Sequence, residues 1–245
     1  MNDVSQPRQR LLLVDALRGV AIAMMVVFHF CYDLSHFGLA GFDFYNDSFW
    51  LNARTLILSS FLILVGVSLV LATRSGLVPG RYLRRLGYLV ASAVLVSAAT
   101  WWMFGERFVF FGVLHFIAVA SVLGLLFVHA GRVNLLLGVA LILAAGHYQS
   151  SWFDVPGRRW IGLMTYKPPT EDYVPLLPWF GVVLLGLGAG PAVYRFAARL
   201  QPRLAAAPVR WLAFAGRHSL VIYLLHQPLL MGALTLYLRL APATR

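Results

Sequence analysis

The chain is 245 residues long, 60% hydrophobic and only 12% charged, with a mean hydropathy of +0.76; soluble domains carry about 25% charged residues, so an ordinary water-soluble protein is excluded. The formal net charge is +11, but the arginines fall in short segments between long apolar runs, which points to anionic lipid headgroups and excludes nucleic acid as the partner. The single cysteine, Cys31, excludes an internal disulfide and a cysteine-based zinc site.

Seven apolar segments follow one another, each read as a helix because backbone groups left unpaired in lipid are too costly. The first runs from Leu11 to Phe30 and the second from Phe49 to Ala72. The third covers Leu83 to Met103, the fourth Phe108 to His129 and the fifth, which is short, Val133 to His147. The sixth covers Leu176 to Phe196, and the last runs from Val209 to Leu240 with an expected kink at Pro228. Arg8 and Arg10 precede the first run, but Asp15 and Arg18 interrupt it and no small-residue cleavage site follows, so it reads as a retained span and not a signal peptide. No composition shift marks a second domain. The expected fold is all-α: one transmembrane bundle of about seven spans over residues 1–245.

The basic residues set an orientation. Twelve Lys and Arg flank the spans on the side of the N-terminus and six on the other, where the segment from Cys31 to Phe49 holds Asp33, Asp43 and Asp47 and no basic residue. The positive-inside rule places the N-terminus in the cytoplasm, and the expected location is an inner (cytoplasmic) membrane. Two longer loops, Cys31 to Ser48 and Gln149 to Pro175, then lie outside, each readable as a substrate mouth or as a solvated connector.

Ionisable residues within the spans carry the chemistry. Asp15 and Arg18 can pair at i, i+3; His29 lies eleven residues beyond Arg18 on nearly the same face; Asp33 lies four beyond His29 and could orient its imidazole. One stripe therefore carries polar groups over about 16 Å, which lipid would not tolerate and a bundle interior would. It reads as a site or as a set of helix-locking pairs. His115 on the fourth span is either a satisfied structural histidine or a reacting group. Asp172, before the sixth span, reads locally as an ordinary helix cap. On the last span Ser219, Tyr223 and His226 share a face, and Arg217 with His218 suits a phosphate-bearing ligand or lipid headgroups.

Four blocks carry a resemblance. Asp15-Ala16-Leu17-Arg18-Gly19-Val20-Ala21-Ile22 with His29 and Tyr32-Asp33-Leu34 is the first, and Phe111-Gly112-Val113-Leu114-His115-Phe116 the second. Asp172-Tyr173-Val174-Pro175-Leu176-Leu177-Pro178-Trp179 is the third, and Gly216-Arg217-His218-Ser219-Leu220 through His226-Gln227-Pro228 the fourth. In this order they resemble the heparan-α-glucosaminide N-acetyltransferase catalytic-domain family, in its compact bacterial branch. The resemblance implies a membrane acyltransferase that takes acetyl-CoA from the cytoplasm and acylates an amine or hydroxyl of an extracytoplasmic sugar or glycan, with no metal.

On that reading His29, Asp33, His115 and His226 are the catalytic candidates, and Asp15, Arg18, Arg217 and His218 line the coenzyme entrance. His36, Asp172, Tyr173, Trp179, Ser219, Tyr223 and Gln227 contact the acceptor. In the animal members the position matching His29 is an asparagine and the base lies in the following loop, so His36 stands beside His29 as the alternative base. A homodimer stays open. Three rivals use the same residues differently: a transporter or channel for a small solute, a haem carrier with paired histidines such as His29 and His115, and a structural membrane subunit.

Overall fold

A computed structural model describes residues 11–204 and 206–240. Arg8, Arg10 and Arg245, which enter the charge asymmetry, lie outside the described residues. The chain divides into two compact units, Met1–Ala40 with Tyr194–Arg245, and Gly41–Val193. Among the described residues the secondary structure is helical: α1 Leu12–His36, α2 Ser48–Thr73, α3 Pro79–Phe104, α4 Val113–Phe127, α5 Val133–His147, α6 Leu176–Leu200, α7 Ala207–Arg217 and α8 Ser219–Leu240. The chain is an all-α membrane helix bundle. α1, α2, α3, α6 and α8 are each long and apolar enough to cross a membrane. α4 and α5 have 15 residues each, about 22 Å of rise against about 30 Å of hydrocarbon.

Three boundaries differ from the sequence expectation. α1 continues through Cys31 to His36, so Asp33 and His36 stand on the helix and not in the following loop. α4 starts at Val113 and not at Phe108, because the chain before it is extended: Phe111 bridges Tyr173 in parallel, and Val174 N–H donates to the Phe111 carbonyl at 3.1 Å. The last apolar run is two helices, with the break at His218. α8 continues through Pro228, and the interruption of the run falls ten residues upstream of it. His218 is where α7 closes: its N–H reaches back to the carbonyls of Phe214 and Ala215, the tightened last turn that exhausts a helix end.

In the first unit α7 packs on the opening turns of α1 at two glycines. Gly19 meets the Leu212 backbone and Gly216 meets the Asp15 carbonyl, each too closely for any β-carbon. The Leu12 N–H donates to Gln201 Oε1 at 3.1 Å and ties the start of α1 to the segment after α6. Small residues are what allow helix backbones to approach this closely without a hydrophobic drive.

In the second unit Gly66 of α2 and Gly186 of α6 make the same kind of crossing, each against the other helix's backbone. Around it Leu62, Val65, Phe116, Ala120, Val183 and Leu187 form a buried core. Asn134, fully buried, donates to the Phe127 carbonyl at 2.9 Å and clasps the turn from α4 to α5.

Candidate active site

The first unit brings together the polar residues of α1 and α8. His29 Nδ1 and His226 Nε2 lie 3.0 Å apart, and His226 Nδ1 lies 2.7 Å from the Tyr223 carbonyl oxygen, one turn back on α8. The i, i+3 spacing of Tyr223 and His226 is what turns that ring nitrogen onto the carbonyl. One turn further along α1, Asp33 is fully buried and accepts from Gln227 Nε2 at 2.7 Å. Asp33 therefore holds Gln227 and not the His29 imidazole, and the partner of His29 is a second histidine. This corrects the expected Asp33–His29 dyad. The reason is register: His226 and Gln227 are consecutive on α8, so one meets His29 and the other meets the residue a turn away.

Two acceptor atoms in this cluster, Asp33 Oδ2 and Gln227 Oε1, are buried without a hydrogen-bond partner. Buried acceptors are rarely left so, and here both sit beside the histidine pair. His36, the alternative base, is exposed in the last turn of α1 and stacks on Tyr32, outside this hydrogen-bonded set. Ser219 opens α8.

The other end of α1 holds the second cluster. Arg18 donates to Asp15 Oδ1 at 3.1 Å. Gly216 rests on the Asp15 carbonyl, and Arg217 and His218 follow it at the end of α7. Arg217 is exposed, and the exposed His218 ring lies on Phe214 with its Nδ1 2.9 Å from that residue's carbonyl. Of the expected grouping of Asp15, Arg18, Arg217 and His218, Asp15 and Arg18 pair directly, and Arg217 and His218 follow the glycine that meets the Asp15 carbonyl.

His115, Asp172, Tyr173 and Trp179 belong to the second unit. His115 Nδ1 accepts from the Gly112 N–H at 3.3 Å, and its Nε2 lies 3.1 Å from Ser97 Oγ, which itself donates to the Val109 carbonyl at 2.6 Å. Both ring nitrogens are spent on fixing the start of α4. Asp172 Oδ2 accepts from the Val113 N–H at 2.8 Å and fills the space that a Gly112 side chain would take. It caps α4, not the helix that follows it in sequence, because the Phe111–Tyr173 bridge carries it across. Sequence reasoning missed Ser97, which in an apolar run gives no signal of its own, and the Arg107–Glu171 ion pair beside this bridge.

Tyr173 donates its hydroxyl to the Arg159 carbonyl at 2.7 Å, and burial pushes its phenol up to about 12 against the opposing pull of the Arg159 charge. Beside it opens a cleft of about 310 Å³ lined by Gln149, Thr165, Tyr166, Lys167 and Tyr173. Trp179, in the first turn of α6, packs against the core of the same unit. Among the described residues no group of three or more His, Cys, Asp or Glu could hold a metal ion.

Residues 10–228 match the family model described as heparan-alpha-glucosaminide N-acetyltransferase, catalytic. The chain belongs to this family. Family membership, with the apolar helices, makes it a multi-pass membrane protein of the acetyltransferase type. The matched stretch covers α1 to the middle of α8 and includes both polar clusters of the first unit. No curated protein and no solved structure matches the chain.

Proposed function

We propose that the protein transfers an acetyl group from acetyl-CoA to an amine or hydroxyl of an extracytoplasmic sugar or glycan, from a site at the inner membrane. The observation that carries this reading is the pair of half-buried His29 and buried His226 beside Asp33 and Gln227, inside a stretch that matches an acetyltransferase family. Acyl transfer from a thioester needs a base that takes the proton of the attacking N–H or O–H, and an imidazole does this near neutral pH. His29 is that base. Asp33 Oδ2 and Gln227 Oε1 are open acceptors for the N–H or O–H groups of the substrate, and Tyr223 and His36 border the same end of the unit.

At the other end of α1, Arg18, Arg217 and His218 supply the cations for the coenzyme phosphates, and Asp15 holds Arg18 in place. In the second unit His115 and Asp172 brace α4, while Tyr173 presents the cleft that suits a hydroxyl-rich ligand.

The test is transfer of radiolabelled acetyl from acetyl-CoA to a panel of amino sugars and glycans, using protein reconstituted in lipid vesicles. Transfer that disappears in His29→Ala is the expected result. Vesicles that neither bind acetyl-CoA nor acetylate any acceptor, yet accumulate a labelled solute, would replace this reading with transport.

A further inference from the structure

From the hydrogen-bond chain Tyr223–His226–His29, we infer that His226 is a positioning residue that holds His29 in its Nδ1–H tautomer and leaves His29 Nε2 as the lone-pair base. This rests on the acyltransferase reading for its catalytic consequence but not for its geometry.

The argument begins at the carbonyl. The Tyr223 oxygen has no proton, so His226 Nδ1, 2.7 Å away, must donate to it. A neutral imidazole carries one N–H, so His226 Nε2 is bare and can only accept. The atom facing it at 3.0 Å is His29 Nδ1, which must therefore carry the proton of that bond. One proton per ring is then spent, and His29 Nε2 holds a lone pair. The tautomer of one histidine is set by the hydrogen bond of the next, with a backbone carbonyl as the fixed end. The arrangement performs the orienting task usually given to a carboxylate. Asp33, the nearest carboxylate, is engaged by Gln227 one turn along.

The transfer step balances on these atoms. The acceptor X–H gives its proton to His29 Nε2 while X forms a bond to the thioester carbonyl carbon. The C–S bond breaks, sulfur leaves with the electron pair, and the proton on Nε2 passes to the thiolate. While His29 is doubly protonated, its Nδ1–H still points at a bare nitrogen, so the charge is shared with His226. The other titratable groups beside the pair are Asp33 on α1 and the Tyr223 ring on α8, whose centroid is 5.8 Å from that of His226. α7 packs on the opposite end of α1.

The decisive experiment is nitrogen NMR of protein labelled with ¹⁵N-histidine in lipid nanodiscs, with the His29 signals assigned by their loss in His29→Asn. His29 should appear as the Nδ1–H tautomer. In His226→Leu, where the Met25 carbonyl one turn back on α1 is the remaining partner of the ring, the share of the Nε2–H form should rise, with kcat for acetyl transfer falling by about 10²–10⁴-fold and KM for acetyl-CoA little changed. His226→Gln, whose amide can accept from His29 and donate to the Tyr223 carbonyl, should restore the tautomer and most of the lost kcat. A wild-type His29 protonated at Nε2 overturns the inference, as does a His226→Leu protein with the wild-type tautomer. Should His226→Leu fail to fold, the wild-type spectrum and the Gln variant decide. A protein with the expected tautomers but no acetyl transfer to any acceptor keeps the inference and sinks the acyltransferase reading.

Discussion

Gly216 of α7 lies against the Asp15 carbonyl of α1 with no room for a β-carbon. This contact registers the two helices, and it does so beside the Asp15–Arg18 pair and immediately before Arg217. A methyl group at position 216 must push α7 away or rotate it, and overpacking of this kind costs about 1–3 kcal/mol. Gly216→Ala should therefore lower the thermal midpoint of the purified protein and raise the KM for acetyl-CoA through displacement of Arg217. Gly19→Ala, at the Leu212 backbone, should act in the same direction. Gly232, where a β-carbon meets nothing within 4 Å, is the control: Gly232→Ala should leave both quantities near wild type.

The cap on α4 makes a second prediction. Asp172 accepts from the Val113 N–H, and losing such a cap costs about 0.5–2 kcal/mol. Asp172→Ala should lose that amount in thermal or denaturant unfolding, whereas Asp172→Asn, which keeps an acceptor oxygen, should lose much less. Equal loss of activity in both variants with stability unchanged would instead make the carboxylate a reacting group.

The helical fold and the residues of both α1 clusters were legible in the sequence because lipid leaves few options: a long apolar run must be helical, and an ionisable group within it must face protein. Partners were less legible. Asp33 and His29 are four apart and suggest a pair, but the register of α8 gives each a different neighbour, and register between helices leaves no mark on either helix alone. The break at His218 falls within the polar stretch Gly216-Arg217-His218-Ser219, whose charges read as a ligand or headgroup contact on one long helix and not as a helix end. The extended start before α4 was hidden because Phe108 to Phe111 are as apolar as the helix they precede; only the Phe111–Tyr173 bridge, 62 residues apart in sequence, explains it.

The coenzyme end can be tested by a split between KM and kcat. Arg18 and Arg217 emerge at one end of the first unit and, on the proposed reading, meet phosphates and not the reacting carbonyl. Charge-assisted bonds of this kind are worth about 1.5–3 kcal/mol, so Arg18→Gln or Arg217→Gln should raise the KM for acetyl-CoA roughly tenfold or more while kcat changes little. Initial rates against acetyl-CoA concentration measure both. A fall in kcat at constant KM would move these residues to the chemical step.

Tyr173 yields a pH prediction of definite sign. Its phenol is pushed from the ordinary value of 10.0 to about 12, chiefly by burial. Burial disfavours phenolate, so in the folded protein the group stays protonated where the unfolded chain has already lost its proton. The stability this contributes is fully present below pH 10 and is lost as the pH rises from 10 towards 12. Tyr173 should therefore titrate late in the tyrosinate absorbance, and the late component should shrink by one tyrosine in Tyr173→Phe. The same substitution should flatten the decline in thermal midpoint between pH 10 and 12. Removing the hydroxyl also frees the Arg159 carbonyl that it now engages, so at neutral pH Tyr173→Phe should lose about 1 kcal/mol. A Phe variant whose late-titrating component is undiminished would leave the Tyr173 phenol no more buried than its neighbours.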